Sequence, residues 1–217
     1  MTINFKYGDY NLGQKPALYV RKSLKFLKKS KIKDILDFGC GNGRNSFFLN
    51  IKGFNITAMD SQSVLNLYKD DFQKRNIFLK PFNIKNTKIP FESNSFDCIL
   101  SWRVLHRGLK KYRYSLIKDL KRVLRKKGFL IMAVSMDKDI EIDQKRGKKY
   151  KEIEKNTFEY IKKGVKNTRH YYTKKEIISG KSFPGFRTIS FSSFKEKTGH
   201  KGKRYLRNYW KIILQKP

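Results

Sequence analysis

The sequence predicts an α/β fold, a mostly parallel sheet with helices on both faces. Two observations carry this. Between Ile35 and Val134, short apolar runs alternate with segments whose apolar residues recur every three or four positions, the rhythm of strand–helix–strand units. The first strand also breaks directly into Gly39, Gly41 and Gly43, a tight turn that presents backbone N–H groups where a helix begins.

In chain order, Phe5 to Gln14 has Tyr and Gly but no clean period, so residues 1–15 read as an arm or a lid, with Phe5, Tyr7 and Tyr10 available to pack over a ligand. A helix starts near Pro16 and carries Val20, Leu24 and Leu27 at helical spacing. The opening strand follows, then a helix from Gly43 to Lys52 closed by Gly53. Asn55 to Asp60 is a second strand with an acid at its end, and Val64, Leu65, Tyr68 and Phe72 mark an amphipathic helix. A third strand runs near Ile77 to Pro81, a loop spans Asn83 to Asn94, and Phe96 to Trp102 reads as a fully buried strand. A helix from Lys111 to Arg125 leads through Gly128 into a fifth strand, Phe129 to Val134.

After Asp137 the rhythm fails. Residues 137–172 are charged and poor in apolar side chains, so a basic surface insertion with partial helix is expected there. Thr173 and Glu176 have capping-box spacing for a helix to Ser179. Two strands, Phe186 to Phe194 and Arg207 to Gln215, close the chain. No linker divides it, so residues 1–217 read as a single domain.

Composition narrows the function classes. No stretch approaches the roughly 20 apolar residues of a membrane span, and Met1 to Lys15 lacks a secretory apolar core, so a cytoplasmic protein is expected. Cys40 and Cys98 lack metal-ligand spacing, and His106, His170 and His200 are too scattered for a zinc site, so no metal is expected. With 51 Lys and Arg against 18 Asp and Glu, the chain carries +33. A polyanionic partner such as RNA accounts for that charge. A solvated basic surface does so too, because the bases are spread from Lys25–Lys33 through Arg122–Lys127 and Lys145–Lys151 to Lys162–Lys166 and Lys201–Arg204.

The chemistry concentrates in the glycine loop. Its Gly-x-Gly-x-Gly spacing is one residue tighter than the dinucleotide fingerprint, and Asp60 lies where a carboxylate can accept from both ribose hydroxyls. An Asp inside an apolar strand, as at Asp37, is costly without a partner. Taken together, these segments resemble class I S-adenosylmethionine-dependent methyltransferases. Asp37 to Gly43 (Asp-Phe-Gly-Cys-Gly-Asn-Gly) resembles motif I and Asp60 the motif II acid. Pro90-Phe91 to Phe96-Asp97 resembles the approach to strand four, and Val123 to Leu130 (Val-Leu-Arg-Lys-Lys-Gly-Phe-Leu) the segment before strand five. The continuation Gly43-Arg44-Asn45-Ser46 is similar to the tellurite-resistance branch, whose substrates are small and soft. The resemblance covers Pro16 to Val134, and more weakly Thr157 to Ile178 and Tyr209 to Pro217.

The resemblance implies a Rossmann-like fold with a seven-stranded sheet and a C-terminal antiparallel strand. It implies S-adenosyl-L-methionine as cofactor and S-adenosyl-L-homocysteine as product. Gly39, Cys40, Gly41, Gly43 and Asn45 would underlie the methionine part, with Asp37 near its amino group. Asp60 would hold the ribose and Ser61 lie beside the adenine. Asn83 stands where the family often has an Asp on the adenine amine, with Ile84 beside it. Ser101 and Trp102 end strand four, where sulfonium and acceptor should meet. Cys40 reads as a small packing residue within the motif. His106 and Arg107, at the pocket mouth, and Arg169 and His170, in an aromatic and basic cluster, are the candidate acceptor-site residues.

A small-molecule methyl acceptor is the leading expectation. An RNA or protein methyltransferase is the alternative that the +33 charge motivates. The Asn/Asp-Pro-Pro-aromatic tetrapeptide of N6-adenine enzymes and the Pro-Cys of cytosine-C5 enzymes are both absent. A non-catalytic cofactor-binding regulator is a third class.

Overall fold

A computed structural model describes residues 15–83, 86–140, 150–162, 164–200 and 203–217. Residues 1–14 of the expected arm, 1–15, and the expected cofactor contact at Ile84 lie outside these described residues.

Seven strands form the main sheet: β1 (Asp34–Phe38), β2 (Asn55–Asp60), β3 (Phe78–Pro81), β4 (Phe96–Trp102), β5 (Leu124–Ser135), β9 (Arg187–His200) and β10 (Lys203–Gln215). Their order is β3-β2-β1-β4-β5-β10-β9. The first five run parallel, and β10 lies antiparallel between β5 and β9. This is the seven-stranded, mostly parallel sheet with an antiparallel C-terminal strand that the sequence predicts.

Strand alternation divides the core between two faces. Ile35, Cys98, Leu100, Trp102, Ile131 and Ala133 face α1 (Leu18–Lys22), α2 (Leu24–Lys29), α3 (Arg44–Ile51) and α4 (Gln62–Gln73). Leu36, Phe38, Ile99, Leu130, Met132 and Val134 face α5 (Lys110–Val123) and α6 (Lys174–Ser179). On α5, Leu116, Ile117, Leu120 and Val123 recur at helical spacing, which is why that face packs. At the edge remote from the glycine loop, Arg125 Nη1 lies 2.7 Å from both Asp34 and Asp97, joining the starts of β1, β4 and β5.

Several boundaries differ from the sequence reading. The first helix is two short ones, because Ser23 turns its hydroxyl onto the Tyr19 carbonyl at 2.8 Å and competes with the backbone ladder. Helix α5 stops at Val123, and Leu124 pairs at once with Phe96. The register against β4 then shifts before Cys98 meets Phe129, and Gly128 sits in that irregularity, where a Cβ would press on the Arg125 and Asp97 carbonyls.

The largest correction concerns 137–172. Besides helical residues at Asp139 and Ile140, the described residues form a separate antiparallel sheet of β6 (Tyr150–Glu154), β7 (Thr157–Lys162) and β8 (Val165–His170). Its turns pass through Asn156 (φ 58°) and Gly164 (φ 75°). Only some of its side chains are buried, Phe158, Tyr160 and Asn167 among them, so interleaved lysines and glutamates hide the two-residue period. The final two strands are also longer than expected, since they form one hairpin whose pairing reaches Lys203 opposite His200.

The small sheet is fastened to the domain by polar contacts. Tyr172 donates its hydroxyl to the Leu105 carbonyl at 3.0 Å, and Trp210 Nε1–H donates to the Tyr172 carbonyl at 2.8 Å. Helix α6 opens with the expected capping box between Thr173 and Glu176. Burial alone would raise the Glu176 carboxyl, but the hydrogen bonds from His170 and Thr173 hold it down at about 2.

Candidate functional site

A cavity of about 250 Å³ opens beyond the C-terminal ends of β1, β2 and β4, the place where open α/β sheets bind ligands. Phe38, Met59, Phe82, Val104 and Leu105 supply apolar walls, while Asp60, Ser61 and Arg107 bring polar groups. Tyr112, Arg113 and Leu116 come from α5, and Lys166, Asn167 and Thr168 from β8.

The glycine loop reaches the cavity at Gly39. Gly39, Gly41 and Gly43 all have left-handed φ, at 78°, 58° and 77°, which side chains resist. The N–H groups of Gly39 and Cys40 both donate to the Met59 carbonyl, at 2.7 and 3.1 Å, binding the turn to the end of β2. A Cβ on Gly39 would run into Val104. Gly39→Ala is therefore expected to cost roughly 2–4 kcal/mol in urea unfolding, from strain at positive φ plus overpacking. A loss below about 0.5 kcal/mol would mean that the turn relaxes freely.

Asp60 ends β2 with both carboxylate oxygens engaged. Oδ2 accepts from Gly41 N–H at 2.9 Å and Oδ1 from Ser61 N–H at 2.7 Å. Burial raises its pKa, while those N–H groups and the nearby Arg107 oppose the rise. Each oxygen retains a further lone pair for a hydroxyl in the cavity. A flat base could lie against Phe82, Val104 and Leu105, so the residues fit a nucleoside.

Asp37 has the partner its buried position requires. Ser46 donates its hydroxyl to Oδ2 at 2.6 Å, and burial still pushes the carboxyl up to about 7. Asn45 faces elsewhere: its Oδ1 accepts from Ala17 N–H at 3.0 Å, so it ties α3 to the start of α1. Cys40 is buried with its thiol pushed well up by desolvation, which makes it a packing group. Asn83 is exposed just after Phe82. Ser101 and Trp102 are buried at the end of β4, and among the described residues Ser101 Oγ and Trp102 Nε1 have no hydrogen-bond partner. The Trp102 ring stacks on Phe194.

The four candidate acceptor residues separate into two kinds. Arg107 lines the cavity, and Arg169 sits opposite it across an isolated antiparallel bridge. His106 and His170 do not line the cavity. His106 is buried, with Nδ1 accepting from Ser135 N–H at 3.3 Å; burial first, then Arg169, Arg107, Arg103 and Arg207, holds it far below the usual imidazole range. His170 lies between Thr157 Oγ1 at 2.9 Å and Glu176 Oε1 at 3.1 Å, which occupies both ring nitrogens. Buried polar side chains need such partners, which is what places this imidazole in the fold's frame.

Sequence reasoning missed Tyr112, Arg113, Lys166, Asn167 and Thr168. The last three arrive only through the small sheet, and the turn positions at Asn156 and Gly164 flanking alternating Phe158 and Tyr160 were the available signal. Among the described residues, no group of three or more His, Cys, Asp or Glu is arranged to hold a metal ion. Nor is any described helix long and apolar enough to cross a membrane.

Comparison with known proteins agrees with this geometry. Residues 36–132 match the methyltransferase domain family. An uncharacterized methyltransferase of Bacillus subtilis, YodH, is 32% identical over 98 residues, covering 45% of this chain and 41% of YodH. The probable S-adenosyl-L-methionine-dependent methyltransferase TehB of Haemophilus influenzae is 31% identical over 110 residues, covering 48% of this chain and 37% of TehB. The chain thus spans less than half the length of these curated relatives. In fold, a SAM-dependent methyltransferase from Methanosarcina mazei superposes with a TM-score of 0.71 at 21% identity, over 93% of this chain and 98% of that one. The matched segment, residues 36–132, runs from β1 through β5 of this sheet order, and the likeness to the solved structure over the rest of the chain is one of fold.

Proposed function

We propose that this protein transfers a methyl group from S-adenosyl-L-methionine to a small-molecule acceptor, leaving S-adenosyl-L-homocysteine. The observation that carries the reading is Asp60, a buried carboxylate bonded to the glycine loop and facing a cavity with apolar walls. Its place supports ribose binding, with Ser61 and Phe82 flanking the base. Asp37 is then the partner for the cofactor's ammonium, and the buried ends of β4 at Ser101 and Trp102 lie near the transferred methyl. The name of TehB supports the cofactor, and a concave cavity of about 250 Å³ supports a small acceptor.

The bound cofactor supplies a methyl group on a sulfonium that leaves as a neutral thioether. The protein has to align the acceptor with that carbon and keep water out. Two lining groups that could take a proton, Asp60 and Tyr112, are already constrained. Asp60 is committed to Gly41 and Ser61, and burial pushes the Tyr112 hydroxyl up to about 12. Neighbouring His106, its Nδ1 already accepting, is a poor proton acceptor. This supports an acceptor atom that is nucleophilic without help, such as a thiolate, a related soft anion or a neutral amine.

The test is transfer of labelled methyl from S-adenosylmethionine into a cell extract separated into small molecules, protein and RNA. Label in the small-molecule fraction is expected. Label confined to RNA would instead favour a polyanionic acceptor, the reading that the +33 charge supports. No label in any fraction, with the cofactor bound, would point to a non-catalytic regulator.

A further inference from the structure

We propose that Asn167, brought to the cavity by β8 of the small sheet, reads the adenine of the cofactor, its Oδ1 accepting from the exocyclic amine of the base. This rests on the reading above, which puts the ribose on Asp60 and the base beside Ser61 and Phe82.

Asn167 lines the cavity and is only 7% exposed. Its Nδ2 donates to the Val165 carbonyl at 2.8 Å. Only the nitrogen of an amide can donate to a carbonyl, so this bond decides which way the side chain faces. Among the described residues, none donates to Oδ1. Unlike the orphaned atoms of Ser101 and Trp102, this oxygen is not sealed in protein, and the cavity is the open space that its residue lines. A nearly buried acceptor left without a donor is costly, and a ligand N–H placed against it recovers the loss.

Other acceptors of the lining are already engaged. Thr168 Oγ1 accepts from Gly108 N–H at 2.9 Å, the Gly108 carbonyl accepts from Arg113, and Asp60 accepts from Gly41 and Ser61. Ser61 Oγ shares a hydrogen bond with Ser63 Oγ at 3.2 Å. Asn83, the residue expected on the adenine amine, is exposed and is not among the residues lining this cavity. The strand that carries Asn167 is fixed in place, since His170 N–H donates to the His106 carbonyl at 2.7 Å and Asn167 itself pairs with Tyr160 of β7. Its amide is therefore set before a ligand arrives, which lowers the ordering cost of binding. The amine of adenine and its neighbouring ring nitrogen form a donor–acceptor pair, the complement of an amide with a free oxygen and a second N–H.

S-Adenosylhomocysteine and S-inosylhomocysteine are titrated by calorimetry into the full chain. The inosyl ligand has an oxygen where adenine has its amine, so it sets acceptor against acceptor at Asn167, whose nitrogen is held by Val165. The parent is expected to bind the adenosyl ligand about tenfold or more tightly than the inosyl one. In Asn167→Ala that preference should shrink to about twofold or less, through weaker adenosyl binding, while retained inosyl binding shows that the variant folds. Asn167→Val, whose β-branched side chain suits a strand, should behave alike and serves if the alanine variant does not fold. Equal binding of the two ligands by the parent, or a preference unchanged in the folded variants, would overturn the proposal. So would a folded variant that keeps the preference yet loses transfer of label into small molecules, which would give Asn167 to the acceptor. Failure of the parent to bind S-adenosylhomocysteine is a separate result, and it would sink the cofactor reading.

Discussion

Asp60→Ala is expected to lower affinity for S-adenosylmethionine about a hundredfold or more, read by calorimetry on the intact chain. Each ribose hydroxyl given to an ionised acceptor contributes roughly 1.5–3 kcal/mol, and alanine removes both. It also releases Gly41 N–H and Ser61 N–H, which the carboxylate now holds at 2.9 and 2.7 Å, so the loop loses its anchor as the ligand loses its acceptor. Asp60→Asn keeps one acceptor oxygen and should fall between parent and alanine. Because burial raises the Asp60 pKa, the parent should bind less well as the solution is acidified, and the Asn variant should lack that component. Unchanged affinity in Asp60→Ala would remove the ribose assignment.

Asp37→Asn should move stability and binding in opposite directions. The folded carboxyl titrates near 7, against about 3.9 for an ordinary aspartate, so the native state holds its proton more tightly than the unfolded chain. The associated stability is fully present below about pH 4 and is lost as pH rises through about 7. Above that the fold carries a buried carboxylate, which Ser46 and Arg44 only partly offset. An amide of the same shape avoids the charge and can still accept from Ser46. At pH 8 the variant should be more stable by on the order of 2–4 kcal/mol and bind the cofactor at least tenfold more weakly. In the parent, a cofactor ammonium beside Asp37 would favour the ionised form, so affinity should rise between pH 6 and 8, and the rise should vanish in the variant. A less stable variant with parental affinity at pH 8 would contradict both halves of the argument.

How much of this could be read from the chain depended on the kind of signal. Ile35, Leu36 and Phe38 before three glycines, and Asp60 five residues after Asn55, announce themselves because burial on both faces leaves a continuous apolar run. The capping box at Thr173 and Glu176 was legible for a similar reason, since its hydrogen bonds are local. Phe158, Tyr160 and Asn167 were not, because one sheet face carries lysines and glutamates and the period drowns in charge. Arg107 was a candidate from its place after strand four, yet its meeting with Arg169 depends on β8 arriving beside it. The histidines show the converse dependence on distant partners. A His near a strand end suggests proton chemistry, but His170 is spoken for by Thr157 and Glu176, partners that no local pattern reveals.

Strand β10 has a consequence for how the chain is made. It fills the slot between β5 and β9, pairing with Ser135 through Phe129 on one side and with Arg187 through His200 on the other. Until it leaves the ribosome, β5 is an open edge whose Leu130, Met132 and Val134 have no cover from Trp210, Ile212 and Leu214. At synthesis rates of roughly 5–20 residues per second, the interval from Ser135 to Gln215 lasts several seconds. Throughout it the nascent chain exposes an apolar, pairing-competent strand, the kind of surface that recruits chaperones or other chains. A premature stop before Lys203 should therefore yield an aggregating product with the glycine loop already translated.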